Sequence, residues 1–312
     1  MHTQKAAVID LGTNTFKWLA AQYSPDGFET LYTESQKVNL GEGISQGLLT
    51  DAAMQRGLAT LIYACENLSK NDISIANTRV VGTSAVRNAK NHMEWVEKVN
   101  HATGLYVEVI DGDEEANLIF KGIVASGSLK NENVLIMDIG GGSVEFIIGH
   151  EGGILWKKSF EIGGSRLREQ FHSADPIDVT NIELLYAYFG SQLTSLVEAI
   201  YIHKPIQLVG SSGSFDTLAW MCHLASGIPH EKFSMKKYEV SLDYFEQVYH
   251  QFLTLNRAKR LALPGMIELR VDLIVVGSIL IKWVLQHLHE RPILVSGYSL
   301  KEGVISDMLA KP

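Results

Sequence analysis

The chain has 312 residues, 46% hydrophobic and 20% charged, which is the composition of a globular protein of about two domains and excludes disorder as its main state. Lys and Arg number 27 against 35 Asp and Glu, a formal net charge of −8. This argues against a general nucleic-acid or membrane-surface binder, though an anionic substrate in a locally basic pocket stays open.

Residues 1–12 lack a basic start, a long apolar stretch and a cleavage site, so no signal peptide is expected and the expected location is cytoplasmic. Residues 6–22 predict a β-hairpin with a polar Gly/Asn turn, and 28–38 could add a strand. Apolar residues at helical spacing predict a helix over 51–68, with Thr50 as its N-cap. A short strand is expected at 78–82, helix near 90–101, strand near 105–110 and helix near 113–126. Strands alternating with helices indicate α/β architecture.

The polar stretch 126–133 marks a domain boundary, giving an N-terminal domain over 1–127 and a C-terminal domain over 128–312. Beyond it, 134–137 and 144–149 repeat the hairpin pattern, with a further strand at 153–160. A long helix is expected over 179–202, a strand at 206–209, and helices at 213–225, 241–255 and 266–289. A strand at 293–296 and a closing helix at 299–310 follow. The apolar run 273–285, interrupted by Lys282, is too short to span a bilayer and reads as a buried helix. Cys65 and Cys222 form neither a disulfide framework nor a zinc spacing, and the histidines show no metal-binding pairing.

The two hairpins repeat each other: Asp10-Leu11-Gly12-Thr13-Asn14-Thr15 aligns with Asp138-Ile139-Gly140-Gly141-Gly142-Ser143, 128 residues on. The three glycines let backbone N–H groups face an oxyanion, and Ser143 can donate to a phosphate oxygen. Asp138 can hold a hydrated Mg²⁺, with Glu145 on the returning strand sharing it. Gly12, Thr13, Asn14 and Thr15 offer the same layout, without the triple glycine. The plain alternative for both is a hairpin turn with no ligand.

Arg87, in the helix opened by Thr83-Ser84, suits bidentate phosphate recognition, or is a surface arginine. Asp111, Asp113, Glu114 and Glu115 at a helix start are read either as capping acids or as the source of a general base. Ser211, Ser212 and Gly213 form a strand-to-helix turn whose amides can meet an anion.

Together these segments resemble the exopolyphosphatase/guanosine pentaphosphate phosphohydrolase (Ppx/GppA) family, within the actin/Hsp70/sugar-kinase superfamily. The resemblance rests on nine ordered segments: 8–15, 40–47, 82–89, 112–122, 136–149, 159–168, 210–218, 270–280 and 296–303. It implies an α/β protein of two duplicated actin-like (ribonuclease H-like) domains with an interdomain cleft. It implies Mg²⁺-dependent release of the terminal phosphate of inorganic polyphosphate, or of the 5′ terminal phosphate of pppGpp. The catalytic Glu of the family falls on Glu115 and its cleft arginine on Arg87. Its metal-site acids fall on Asp138 and Glu145, with Asp10 in the duplicate position. No nucleic-acid or membrane partner is expected, and a homodimer is left open.

Three departures touch anion binding: Asn39 where a basic residue is common, Lys301 where Arg is common, and Ser212 in place of glycine. The resemblance also implies C-terminal helical domains in longer family members, which are not expected here. The rivals are an ATP-dependent kinase or ATPase and a non-catalytic (p)ppGpp-binding sensor. Polyphosphate is the expected substrate because no guanine-recognition element stands out.

Overall fold

The computed structural model describes residues 4–25, 27–234 and 236–309. Residue 310 of the expected closing helix lies outside them. The chain forms two units, 1–125 with 299–312, and 126–298.

The first unit holds strands β1 (Lys5–Leu11), β2 (Thr15–Ser24) and β3 (Gly27–Lys37), helix α1 (Asp51–Lys70), β4 (Thr78–Gly82), α2 (Ser84–Asn88), α3 (His92–Thr103), β5 (Val107–Val109) and α4 (Gly112–Ala125). The sheet order is β3-β2-β1-β4-β5, with β1 to β3 an antiparallel meander and β4 and β5 joined in parallel. Thr50 caps α1 by accepting the N–H of Ala53 at 3.2 Å, as its sequence position predicts. Gly57 lets α1 lie against α3, since a Cβ there would come within 2.8 Å of the Trp95 ring. The core gathers around Ile9, Phe16, Trp18, Leu61 and Trp95.

The second unit holds β6 (Val134–Ile139), β7 (Val144–His150), β8 (Gly153–Phe160), α5 (Gly164–Phe171), α6 (Val179–Gln192), α7 (Thr194–His203), β9 (Leu208–Ser211), α8 (Gly213–Ala225), β10 (Tyr238–Val240), α9 (Leu242–Thr254), α10 (Arg257–Leu261), α11 (Leu273–Leu285) and β11 (Ile293–Ser296). Its sheet order, β10-β11-β9-β6-β7-β8, repeats the first with one antiparallel edge strand added. Its separate core includes Phe146, Phe189, Phe215, Phe245 and Trp283. Two units with the same strand order bear out the duplication read from the hairpins. No helix among the described residues is long and apolar enough to cross a membrane.

Several elements differ from expectation. The helix expected over 179–202 is two helices, because the backbone leaves the helical well at Leu193, whose side chain is fully buried. The helix expected over 266–289 begins only at Leu273, and residues 262–272 are turns. Helix α5 and strand β10 were not anticipated.

The last helix, α12 (Leu300–Leu309), differs most: it belongs with residues 1–125 and not with the C-terminal half. The reason is a glycine-to-glycine contact. A Cβ on Gly303 would lie 1.8 Å from the Leu118 carbonyl oxygen, and one on Gly122 would lie 2.0 Å from that of Ser299. The backbones of α4 and α12 approach this closely only without side chains. Glu302 begins α12 by accepting the N–H of Ser299 at 2.8 Å, and Lys301 pairs with the same carboxylate at 2.8 Å.

Candidate active site

In the second unit, β6 and β7 pair down to Ile139 and Val144, leaving 140–143 as the turn, closed by the Gly140 N–H donating to the Ser143 carbonyl at 3.0 Å. After β8 the chain returns across this turn. The N–H groups of Gly164, Ser165 and Gly163 donate to the carbonyls of Gly140, Gly141 and Gly142 at 2.9, 2.9 and 3.1 Å. In a trans peptide the N–H points opposite to the C=O it is bonded to. Holding those three carbonyls against α5 therefore turns the N–H groups of Gly141, Gly142 and Ser143 the other way. Among the described residues these three N–H groups have no hydrogen-bond partner. A row of open amides of this kind is an anion nest. The crossing needs a glycine at 163, where a Cβ would fall 2.4 Å from the Gly142 carbonyl carbon.

Asp138 lies one residue before this turn, directly opposite Glu145 in the β6–β7 register. Both are buried. The Asp138 carboxylate accepts from the Ser211 hydroxyl at 2.6 Å and from that of Ser212 at 2.7 Å, while Glu145 accepts from Ser159 at 2.7 Å. Each serine has one hydroxyl hydrogen, so those of Ser211 and Ser212 go to the carboxylate, and the expected phosphate contact at this turn falls to its backbone.

Among the described residues no cluster of three or more His, Cys, Asp or Glu side chains is placed to hold a metal ion. Mg²⁺ does not require one, because it is commonly held by one or two carboxylates together with waters and substrate oxygens. Two facing carboxylates beside an anion nest fit that pattern. In the first unit the residue opposite Asp10 is Lys17, so the acid pair is built only at Asp138 and Glu145.

Ser212 opens α8 at φ 70° and ψ 178°, a conformation that is close to glycine-only. Such a backbone favours glycine, the residue that the resemblance leads one to expect there. Replacing Ser212 by Gly or by Ala removes the same bond to Asp138, but only glycine relieves the strain. Ser212→Gly is expected to be more stable than Ser212→Ala by roughly 1–2 kcal/mol, after allowing for glycine's larger unfolded-state entropy. Equal thermal unfolding midpoints for the two variants would contradict this.

Sequence reasoning missed Arg270. Its guanidinium lies directly over Gly213, where a Cβ would stand 1.9 Å from Cζ. Burial lowers its pKa from the usual guanidinium range, while the carboxylates of Asp216 and Asp138 act the other way. An arginine within reach of Asp138 brings positive charge to this end of the sheet. The clue in the sequence was its place just before an apolar helix, in a stretch read as helical.

In the first unit the turn between β1 and β2 is held in a similar way. Gly41 donates to the Thr13 carbonyl, and Val38 and Asn39 donate to that of Asn14, each at 2.9 Å. A Cβ on Gly41 would meet the Thr13 methyl at 2.3 Å. Asn39 adopts φ 51°, which asparagine tolerates better than most residues and which accounts for its presence there.

The four acids at the start of α4 separate cleanly. Asp111 is exposed and caps the helix, accepting the Glu114 N–H at 2.8 Å, as the capping reading has it. Glu115 alone is buried. It pairs with Arg87 Nη1 at 2.8 Å, and Arg87 also donates to the Ile110 carbonyl at 3.1 Å. Arg87 lies near the end of the five-residue α2, its side chain 17% exposed, so it is a partly buried partner of Glu115 rather than a surface arginine. The first unit thus brings Arg87 and Glu115 together. The second gathers Asp138, Glu145, Ser211 and Ser212 beside the nest.

Two sheets of like order, each carrying a hairpin turn whose carbonyls are tied back, define an actin-like α/β protein. The Ppx/GppA phosphatase family model matches residues 20–312, and the chain belongs to that family. Among solved structures, an exopolyphosphatase from Cytophaga hutchinsonii is 43% identical, with a TM-score of 0.93 and 98% of each chain covered. A Ppx/GppA family member from Aquifex aeolicus shares the fold, with a TM-score of 0.82 at 22% identity, covering 99% of this chain and 98% of its own. A guanosine-5'-triphosphate,3'-diphosphate pyrophosphatase of Vibrio parahaemolyticus is 31% identical over 309 residues, 97% of this chain and 59% of the relative. The chain therefore spans about three-fifths of the length of the curated relatives it matches.

Proposed function

We propose that the protein is a Mg²⁺-dependent exopolyphosphatase that releases the terminal phosphate of inorganic polyphosphate. The observation that carries this reading is the run of three open amides at Gly141, Gly142 and Ser143 beside the paired carboxylates of Asp138 and Glu145. The likeness to the Cytophaga hutchinsonii exopolyphosphatase supports polyphosphate as the substrate.

In this reading the amides of Gly141–Ser143 bind the terminal phosphate, and the hairpin turn at Gly12, Thr13, Asn14 and Thr15 binds further phosphate oxygens. Gly140 shapes the 140–143 turn, and Gly213 admits Arg270 beside the turn between β9 and α8. Asp138 and Glu145 would hold Mg²⁺, which supplies charge neutralisation at phosphate oxygens. Asp10 occupies the duplicate of the Asp138 position. Ser211 and Ser212 orient the Asp138 carboxylate through their hydroxyls. Glu115 takes a proton from water as the water oxygen bonds to the terminal phosphorus. The bridging P–O bond breaks and the shortened polyphosphate leaves with the electron pair. Arg87 orients Glu115. Such transfers depend on positioning and charge stabilisation more than on covalent chemistry.

The test is phosphate release in the presence of Mg²⁺ from polyphosphate, pppGpp and ATP in parallel. Fastest turnover of polyphosphate is the expected result. The likeness to the Vibrio pyrophosphatase favours pppGpp as the second reading, and faster release from pppGpp would make that the substrate. Nucleotide binding with no hydrolysis of any of the three would leave a sensor.

A further inference from the structure

The two hairpin turns share a device that goes beyond the residues facing the phosphate. In each unit, the segment after the third strand of the meander doubles back and ties down the carbonyls of the turn. In each unit an arginine anchors that segment. Arg166, in the first turn of α5, donates from Nε to the Gly142 carbonyl at 2.9 Å and from Nη2 to Glu161 at 3.1 Å. Arg56, on α1, donates from Nε to the Val38 carbonyl at 2.8 Å and from Nη2 to that of Asn39 at 3.2 Å, and it also pairs with Glu42. Val38 and Asn39 are the residues whose N–H groups hold the Asn14 carbonyl.

We propose that Arg166 and Arg56 are positioning residues that aim the amides of the two phosphate turns by fixing the straps behind them. This rests on the phosphate-binding reading of those turns. The geometry gives the reason. The Gly142 carbonyl and the Ser143 N–H belong to one peptide plane, so the Arg166 bond to the carbonyl sets the direction of the amide. The strap bond from Gly163 reaches the same carbonyl at 3.1 Å, longer than its two neighbours, and Arg166 supplies the second hold. Glycine-rich turns have many accessible backbone conformations, so without these anchors the nest has to be organised at the moment of binding.

The experiment compares wild type with Arg166→Ala, Arg166→Lys, Gly163→Ala and the double variant Gly163→Ala/Arg166→Ala. It reads tripolyphosphate binding by calorimetry, kcat and KM on polyphosphate, and the thermal unfolding midpoint. Arg166→Ala is expected to lose on the order of 10²-fold in kcat/KM, the size of a misplacement of about 1 Å. Its tripolyphosphate affinity falls with it, at an unfolding midpoint close to that of wild type. Arg166→Lys, which can still reach the Gly142 carbonyl, recovers part of the loss. Gly163→Ala disturbs the same peptide planes without changing charge, so it should reproduce the loss, and the double variant should be no worse than the poorer single one.

Kinetic constants for Arg166→Ala within threefold of wild type would overturn the inference and leave the proposed function standing. Additive losses in the double variant would also overturn it, by showing that Arg166 acts on the substrate and not through the loop. A wild type that binds tripolyphosphate without hydrolysing polyphosphate, pppGpp or ATP would overturn the phosphohydrolase reading, while weaker binding by Arg166→Ala would still uphold the strap. A wild type that does neither would overturn both.

Discussion

Replacing Glu115 by Gln is expected to lower phosphate release by roughly 10²–10⁴-fold, the range associated with a positioned general base. The substitution keeps volume and shape and removes the charge. Four acids cluster at the start of α4, but Asp111 caps the helix and only Glu115 is buried, against Arg87 at 2.8 Å. Removing one partner of a buried ion pair leaves the other uncompensated, so the same variant should also lose stability, by up to about 3–5 kcal/mol. The loss is partly offset because Arg87 keeps its bond to the Ile110 carbonyl and some exposure to solvent. Activity must therefore be compared well below the unfolding transition, with tripolyphosphate binding as the control for an intact nest. Undiminished release from Glu115→Gln, with Asp113→Asn and Glu114→Gln as companions, would remove Glu115 from the chemistry.

Gly303→Ala is expected to destabilise the first unit. The added methyl would sit 1.8 Å from the Leu118 carbonyl oxygen and 3.0 Å from the Gly122 nitrogen. Both are helix backbone atoms, which cannot turn aside as a flexible side chain can. The helices have to separate, at a cost of about 1–3 kcal/mol or more. The loss should appear in the first unit, because α4 and α12 both belong there. Hydrogen exchange should therefore rise in α4 and β1 before it rises in α8 or α11. An unchanged unfolding midpoint, or loosening that begins in the second unit, would show that the α4–α12 contact is not what holds the terminal helix in place.

Much of this protein is local and therefore legible in its sequence. A hairpin is written by alternating apolar residues around a small polar turn. The chain carries that pattern twice, at Asp10–Thr15 and Asp138–Ser143, so the duplication could be read before any sheet was known. Helix starts are equally local: Thr50 and Ser241 sit three residues before the N–H groups they accept, a spacing visible in the sequence. Even the choice of Glu115 had a signal, since it shares a helix face with Leu118, Ile119 and Gly122 at positions i+3, i+4 and i+7.

What the sequence could not decide was every contact between distant segments. Helix α12 lies at the end of the chain, and only the paired glycines of two helices nearly 200 residues apart, Gly122 and Gly303, assign it to the first unit. Arg270 stands in a turn that looked helical, and its meeting with Gly213 depends on how α8 and the segment before α11 pack. The turn at Ser211, Ser212 and Gly213 reads from sequence as a set of amides, and only the β6–β9 pairing brings the hydroxyls of Ser211 and Ser212 to Asp138. The amide nest itself is a tertiary product. Three glycines permit many conformations, and the returning strap selects one by bonding the carbonyls on one side, which leaves the amides facing the other. Propensity and pattern act over a few residues and determine elements; the direction of a peptide plane or the partner of a buried charge is fixed only when remote backbone arrives to bond it.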